Sequence, residues 1–429
     1  MYFSPISHTF AIVINNTNLP KLFVCIPVLN ELENIPELLN NISRQNYRNF
    51  KVIVCVNQPE TWWNEPEKHQ ICIHNQKTLK LLNTENRFQL SVIDKSSPGK
   101  GWVGKKHGVG WARKVAMDLA IENALPTDII LSMDADTAFT QNYFEAIATR
   151  MNHTPKAMAL SVPYMHPLSG NEALDRLMLR YEIYMRHYAL SLWIIENPYA
   201  FTAIGSAMAI PVWAYKKVNG ISPVLSGEDF YFMLKLSKSG AIIHTCKERI
   251  YPQGRLSNRV YFGTGPALMK GNSGDWSSYP IYPQSLFQKI KESFQAFELL
   301  WEKDTDFPMD SFLAGQFKDA QWWIPLRANY KNKAQFVKAC CVKTDALRIL
   351  QYLKAQYSNQ PDNDEKELIA FMQNFYGTKN IKLEIPELNS LNFKTSNITL
   401  LKAIRQKLMQ SEDEFRAKHD NNLHPDVQK

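Results

Sequence analysis

The sequence predicts an α/β protein in which a mainly parallel sheet, covered by helices on both faces, precedes a helical C-terminal region. Two observations carry this. The first half of the chain alternates short apolar runs rich in β-formers with stretches whose apolar positions recur at helical spacing, the pattern of βαβ units. Past about residue 270 the strand signals fade and helical periodicity remains.

Taken in order, Leu22–Val28 (LFVCIPV) reads as a buried strand, closed by Pro27 and Asn30. Residues 33–44 follow with Ile35, Leu38, Leu39 and Ile42 on one helical face. Residues 50–56 (FKVIVCV) are the second buried strand. The polar segment 58–87, with Trp62 and Trp63, reads as a long excursion before a third strand at 89–93. A glycine-rich loop over 99–110 leads into a helix near 111–123. Residues 128–133 (DIILSM) then form a fourth buried strand. Strands at 158–162 and 202–210 are separated by a helix over 175–195. A helix at 230–239 and a strand at 241–246 complete the sheet. Residues 285–301, 334–357, 364–376 and 399–419 read as helices. The chain thus divides into an extension over 1–20, an α/β domain over 21–270 and a mainly helical region over 271–429.

At 429 residues there is ample chain for a core, and 45% hydrophobic with 21% charged residues is a globular composition. Six cysteines without CxxC spacing predict free thiols in a reducing cytoplasm. The apolar patch at 10–14 has no basic residue before it, against a secretory signal. The longest apolar stretches fall far short of the about 18–20 residues a bilayer requires. A net charge of +8 suits an anionic ligand or an anionic membrane surface. The basic residues are dispersed and no nucleic-acid module is recognisable, so nucleic acid is not the expected partner.

The chemistry centres on Asp134-Ala135-Asp136 at the end of the fourth strand. Ligands of open α/β sheets bind beyond the carboxyl ends of strands. Two carboxylates there can hold Mn²⁺ or Mg²⁺ and leave positions for phosphate oxygens. Such a cation offsets the charge that grows on a departing diphosphate. A bare DxD also occurs often by chance, as a polar strand end with two solvated aspartates, so its context decides.

That context resembles a known family. FVCIPVLNELENIPELLNNI resembles the opening strand and helix of family-2 glycosyltransferases. GVGWARKVAMDLA resembles their "G.a.ArN.g...A" segment, and DIILSMDADT their "yi.flDaDd" block. GSAMAIPVWAYKKVNGISPVLSGEDFYFMLKLSKSG resembles their acceptor-side stretch. The four blocks follow the family's order across residues 21–265. The resemblance implies a GT-A-type fold and transfer of a sugar, commonly with inversion, from a nucleotide-diphosphate donor, UDP-linked by family habit. The expected acceptor is a glycan or lipid-linked hydroxyl of the cell envelope.

Carried over residue by residue, the resemblance places Pro27, Asn30 and Glu31 beside the base and ribose. Asn57 ends the second strand where many members carry aspartate, and this departure leaves the base open. Asp94, ending the third strand, is a second candidate for base or ribose. Arg113 matches the arginine of the "ArN" block, although Lys114 replaces its asparagine. In the Glu228-Asp229 pair, Asp229 is the expected general base and Glu228 the residue that binds acceptor or orients the site. Acidic residues are also ordinary helix N-caps.

Arg255 and Arg259, four apart in GRLSNRVYFGTG, can clamp a diphosphate or form structural salt bridges; no QxxRW motif accompanies them. His244 is either a third metal ligand, as in some GT-A enzymes, or a satisfied core histidine. Residues 99–106 nearly spell a P-loop, but Lys106 stands where a hydroxyl is needed. The loop is read as a basic one that brings Lys105 near the donor diphosphate.

Three further readings stay open. A nucleotidyltransferase would carry a glycine- and basic-rich turn after the first strand, where this chain reads PVLNELEN. A non-catalytic nucleotide-sugar-binding protein would lack the acidic pair or the base. The basic helical stretch 327–354 beside Trp322 and Trp323 is either a solvated face or a peripheral dock on the inner face of an anionic membrane.

Overall fold

The computed structural model describes residues 19–105, 107–257, 263–357, 363–379 and 383–423. Its strands are β1 (Leu22–Val28), β2 (Phe50–Asn57), β3 (Leu90–Lys95), β4 (Ile129–Ser132), β5 (Thr137–Ala138), β6 (Ala159–Ser161), β7 (Met208–Pro211), β8 (Ile242–Ile243) and β9 (Tyr251–Pro252). Seven of them form one sheet in the order β3-β2-β1-β4-β7-β6-β8. Only β7 runs against its neighbours. This is the mainly parallel α/β sheet expected of a GT-A-type domain.

The helices are α1 (Ile35–Ser43), α2 (His69–Thr84), α3 (Val109–Ala120), α4 (Tyr143–Asn152), α5 (Glu172–Ile194), α6 (Val212–Lys217), α7 (Glu228–Ser237) and α8 (Thr264–Asn272). The C-terminal region adds α9 (Gln284–Leu299), α10 (Asp310–Phe317), α11 (Ile324–Asn329), α12 (Lys333–Lys343), α13 (Ala346–Tyr357), α14 (Asp364–Thr378) and α15 (Ile398–Asn421).

The apolar runs split between the two faces with period two. Leu22, Val24, Ile26 and Val28 join Val52, Val54 and Leu131 beneath α1 and α4. Phe23, Cys25, Ile53, Cys55 and Ile130 face the opposite way, against Ala112, Ala116 and Met117 of α3. Both faces are therefore apolar, and the sheet is buried between helices.

Several elements differ from the sequence reading. The excursion 58–87 contains α2, whose buried face includes Asn75 and Thr78 and therefore lacks a continuous apolar stripe. The expected strand at 202–210 is regular only from Met208. The single helix expected at 334–357 is two, because the Asp345 carboxylate accepts from the Leu347 and Arg348 amides and starts α13 afresh. The helix expected from 230 begins at Glu228, after Gly227 in a left-handed conformation (φ 76°). Helices α10 and α11 were not foreseen. All six cysteines are free. No described helix is long and apolar enough to cross a membrane.

Helix α15 lies along α5. Leu179, Ile183 and Leu190 pack with Leu401, Ile404 and Leu408. Beside this seam runs a buried ionic row. Arg186 donates to Glu412 Oε2 and Glu182 Oε1, both at 2.6 Å, and Arg416 donates to Glu412 Oε1 at 2.7 Å. Burial alone would raise the Glu412 carboxyl, yet the two guanidiniums hold it below its ordinary range. Glu412→Ala would leave both arginines short of an acceptor in a dry seam and lower stability by about 3–5 kcal/mol, measured by urea denaturation.

Candidate active site

The site is built where β1, β2, β3 and β4 end, on the edge to which parallel strands deliver their carboxyl termini. Asp134 and Asp136 leave β4 there, with Ala135 between them anchored in the core. The hub beneath is Arg113 of α3, buried and fully engaged. Its Nη2 donates to Asp134 Oδ1 at 2.8 Å, and Nε to Glu228 Oε1 at 3.0 Å. Nη1 donates to Ser132 Oγ at 2.5 Å and to the Gly205 carbonyl at 3.0 Å. Two glycines make room for it. A Cβ at Gly205 would lie 2.5 Å from Arg113 Nη2, and one at Gly110 would lie 2.3 Å from the Val224 carbonyl oxygen.

One guanidinium thus ties the acidic triplet to the start of α7, linking Asp134 with Glu228. Arg113→Met would leave the nearly inaccessible Glu228 carboxylate without its cation. A loss of about 3–5 kcal/mol is expected in denaturant titration, with most of it owed to Glu228, because Asp134 is partly open to water.

Asp229 follows in the first turn of α7, and its Oδ1 accepts from the Phe230 amide at 2.7 Å. Burial first, and the Glu228 carboxylate second, push its carboxyl up to about 7, against the pull of Arg113.

Asp136 Oδ2 accepts from Arg255 Nη2 at 2.7 Å. The same nitrogen donates to Glu31 Oε1, so Arg255 bridges the loop after β1 and the turn after β4. The short β5–β9 ladder and a bond from the Gln253 amide to the Asp136 carbonyl at 3.2 Å hold the segment carrying Arg255 there. Arg259 lies outside the described residues.

Pro27 is buried within β1. Asn30 takes a left-handed backbone (φ 55°), fixed by a bond from its amide to Asn75 Oδ1 at 2.9 Å, and its side chain meets His74 Nδ1 at 3.0 Å. Asn57 is buried with both ends used: Nδ2 donates to the Val28 carbonyl, and Oδ1 accepts from Trp102 Nε1. Asp94 turns back on its own loop. Burial would raise its carboxyl, but the Ser97 and Ser96 donors and Lys100 hold it at about 2. Lys105 is exposed on the glycine-rich loop.

The glycine-rich loop has a partner that sequence reading missed. Glu60 accepts from the Gly99 amide at 2.8 Å and from the Gly101 amide at 2.7 Å. The glycines signalled an anion-cradling loop, but nothing local pointed to a carboxylate some forty residues earlier in the chain.

The structure does not bring His244 to the acidic pair. It follows β8, three strand spacings from β4, which is roughly 14 Å. Its ring packs edge-on against Trp193 and His419, and burial keeps its pKa well below the ordinary value. It occupies the aromatic seam under α15, as a core histidine would.

The residues fit a hard divalent cation. Two mostly buried carboxylates, Glu31 and Asp136, already converge on one positive group, and Asp134 belongs to the same triplet as Asp136. Among the described residues no group of three His, Cys, Asp or Glu side chains forms a protein-only cage. An ion held by one or two carboxylates completes its shell with water and phosphate oxygens.

Residues 129–275 match the family model for glycosyl transferase family group 2. No curated protein sequence matches the chain. Among solved structures, Staphylococcus aureus TarS 1–349 aligns at 14% identity over 94% of this chain and 92% of its own, with TM-score 0.38. Its complex with UDP-GlcNAc aligns at 14% identity over the same shares, with TM-score 0.36. The mannosyltransferase PcManGT from Pyrobaculum calidifontis, in complex with GDP-Man and Mn²⁺, aligns at 14% identity over 91% of this chain and 87% of its own, with TM-score 0.38. Likeness at that level carries no argument about chemistry. The residues matched by the family model include the acidic triplet, the Glu228-Asp229 pair and Arg255. Over residues 129–275 the chain is similar to glycosyl transferase family group 2.

Proposed function

We propose that the protein transfers a sugar from a nucleotide-diphosphate donor, UDP-linked in the first instance, to a hydroxyl acceptor with inversion of the anomeric centre. The observation that supports this best is the Asp134–Arg113–Glu228 bridge. It joins the acidic triplet to the first turn of α7, where Asp229 carries a carboxyl that changes protonation near neutral pH.

In this reading Asp134 and Asp136 hold Mn²⁺ or Mg²⁺, and the ion, when bound, neutralises the charge developing on the diphosphate. Asp229 accepts the proton of the acceptor hydroxyl as its oxygen attacks the anomeric carbon. The bond between that carbon and the diphosphate oxygen breaks, and the electron pair leaves with the nucleoside diphosphate. A base with pKa near the working pH is both available and strong enough to assist. Glu228 and Arg113 act as positioning residues, since every polar atom of Arg113 is spent on the protein. Arg255 and Arg259 are the residues proposed for the diphosphate. Asn57, Asn30 and Asp94 define the walls of the base and ribose region.

The acceptor proposed is a glycan or lipid-linked hydroxyl of the cell envelope, met at the cytoplasmic face. A dock on the membrane through the basic helices is not part of the proposal. Trp322 and Trp323 are buried, Arg327 pairs with Asp304, Lys333 with Glu302, and Lys343 lies over Phe317 and Trp322.

The experiment is release of nucleoside diphosphate from a panel of nucleotide-sugars with Mn²⁺, followed by NMR of the anomeric configuration of the product. Turnover of one donor with an inverted product supports the reading. Binding without turnover across a broad acceptor panel favours the non-catalytic scaffold, and a retained configuration removes Asp229 from the role of base.

A further inference from the structure

Arg255 does something that sugar transfer alone does not require: it sits on Asp136, a carboxylate that the proposed cation would use, and bridges it to Glu31. Its Nη2 meets Asp136 Oδ2 at 2.7 Å and also Glu31 Oε1. Glu31 comes from the loop after β1 and Asp136 from the turn after β4, so the guanidinium spans the gap between two strand ends. Both carboxylates are mostly withdrawn from water, at 7% and 16% side-chain exposure. A cation held there is therefore weakly screened.

The arginine is also incompletely used. Its Nε is buried without a hydrogen-bond partner among the described residues. Arg113, which pairs with Asp134 of the same acidic triplet, has every nitrogen satisfied. The contrast separates a fixed structural arginine from one that is parked. A planar fork with an idle donor matches phosphate oxygens, which would take both edges at once.

We propose that Arg255 is the resting occupant of the cation position, that a divalent ion and Arg255 compete for Asp136, and that the ion's arrival releases Arg255 toward the donor diphosphate. This rests on the metal-dependent transfer reading above. Its consequence is a handicap for the metal alone and a mutual gain for metal and donor. If nine molecules in ten hold the Arg255 bridge, the apparent affinity for the ion without donor falls about tenfold. The diphosphate then offers the displaced guanidinium a new acceptor, so each ligand strengthens the other by the same factor.

The test is a titration of Mn²⁺ alone, with no nucleotide, followed by electron paramagnetic resonance of the free ion. Arg255→Met tightens Mn²⁺ binding by about tenfold, and Asp136→Asn in that background abolishes it. Arg255→Lys keeps the charge but is shorter and lacks the planar fork, and it also tightens binding, by a smaller factor. With saturating Mn²⁺, Arg255→Met weakens the binding of UDP. Tightening in Arg255→Met but not in Arg255→Lys would mean a through-space charge effect and would overturn the competition. So would Mn²⁺ binding that depends on Asp136 yet is unchanged by either Arg255 variant, with the metal-dependent reading left standing. Absence of Mn²⁺ binding in every form would overturn both.

Discussion

Asp229→Asn is expected to lower transfer by about a thousandfold, within the range of 10² to 10⁴ that a positioned general base contributes. The amide cannot take the acceptor proton, while its size and its bond to the Phe230 amide are preserved. Binding of donor and metal should be unchanged, so the loss falls on kcat. The pH profile adds a second readout. The base works only when ionised, and its carboxyl is raised to about 7, so the rate climbs with pH through that region and levels off above it. Removing the Glu228 charge with Glu228→Gln lifts the second-largest cause of the rise and shifts the climb to lower pH. A profile flat from pH 5 to 8 would take the proton transfer away from Asp229.

Asp136→Asn is expected to cost as much by a different route. Asparagine keeps one oxygen but loses the charge that holds a divalent ion, and the growing charge on the diphosphate is then unopposed. Electrostatic stabilisation of this kind is worth about 10² to 10³ in rate for each group removed. Here the loss would extend to binding, because an ion held by Asp136 would take phosphate oxygens into its remaining positions. Donor affinity and rate fall together. Asp134→Asn should be milder in metal binding but should also disturb Arg113, whose Nη2 donates to Asp134 Oδ1. Each variant also removes the charge of an ion pair, Asp134 with Arg113 or Asp136 with Arg255, so both are read for stability as well as for rate.

The parts of this architecture that were legible in the sequence are those in which one physical signal dominates. The strands β1, β2 and β4 are unbroken apolar runs, and burial on both faces of a parallel sheet requires just that. The acidic triplet was legible because it ends such a strand. Helix α2 was not, because its buried face is partly Asn75 and Thr78, and Asn75 serves Asn30 and Gln58 instead of a hydrophobic stripe.

Long-range partnerships were invisible for a different reason. Arg113 and Glu228 are 115 residues apart, and Arg255 and Glu31 are 224 apart; neither local pattern names the other. Arg113 could be placed near the nucleotide by its motif, but not as the buried hub whose every donor is spent on the protein. His244 shows the converse. By sequence His244 was either a metal ligand or a core histidine, and the sheet order places it three spacings from the acidic pair, among Trp193 and His419.

The most direct test of the metal-dependent donor site is a thermal-shift panel of nucleotide-sugars with and without Mn²⁺, run on the protein and on Asp136→Asn. Stabilisation by one donor, present only with Mn²⁺ and lost in Asp136→Asn, is the result expected. A donor that stabilises both proteins equally, with or without the ion, would contradict it.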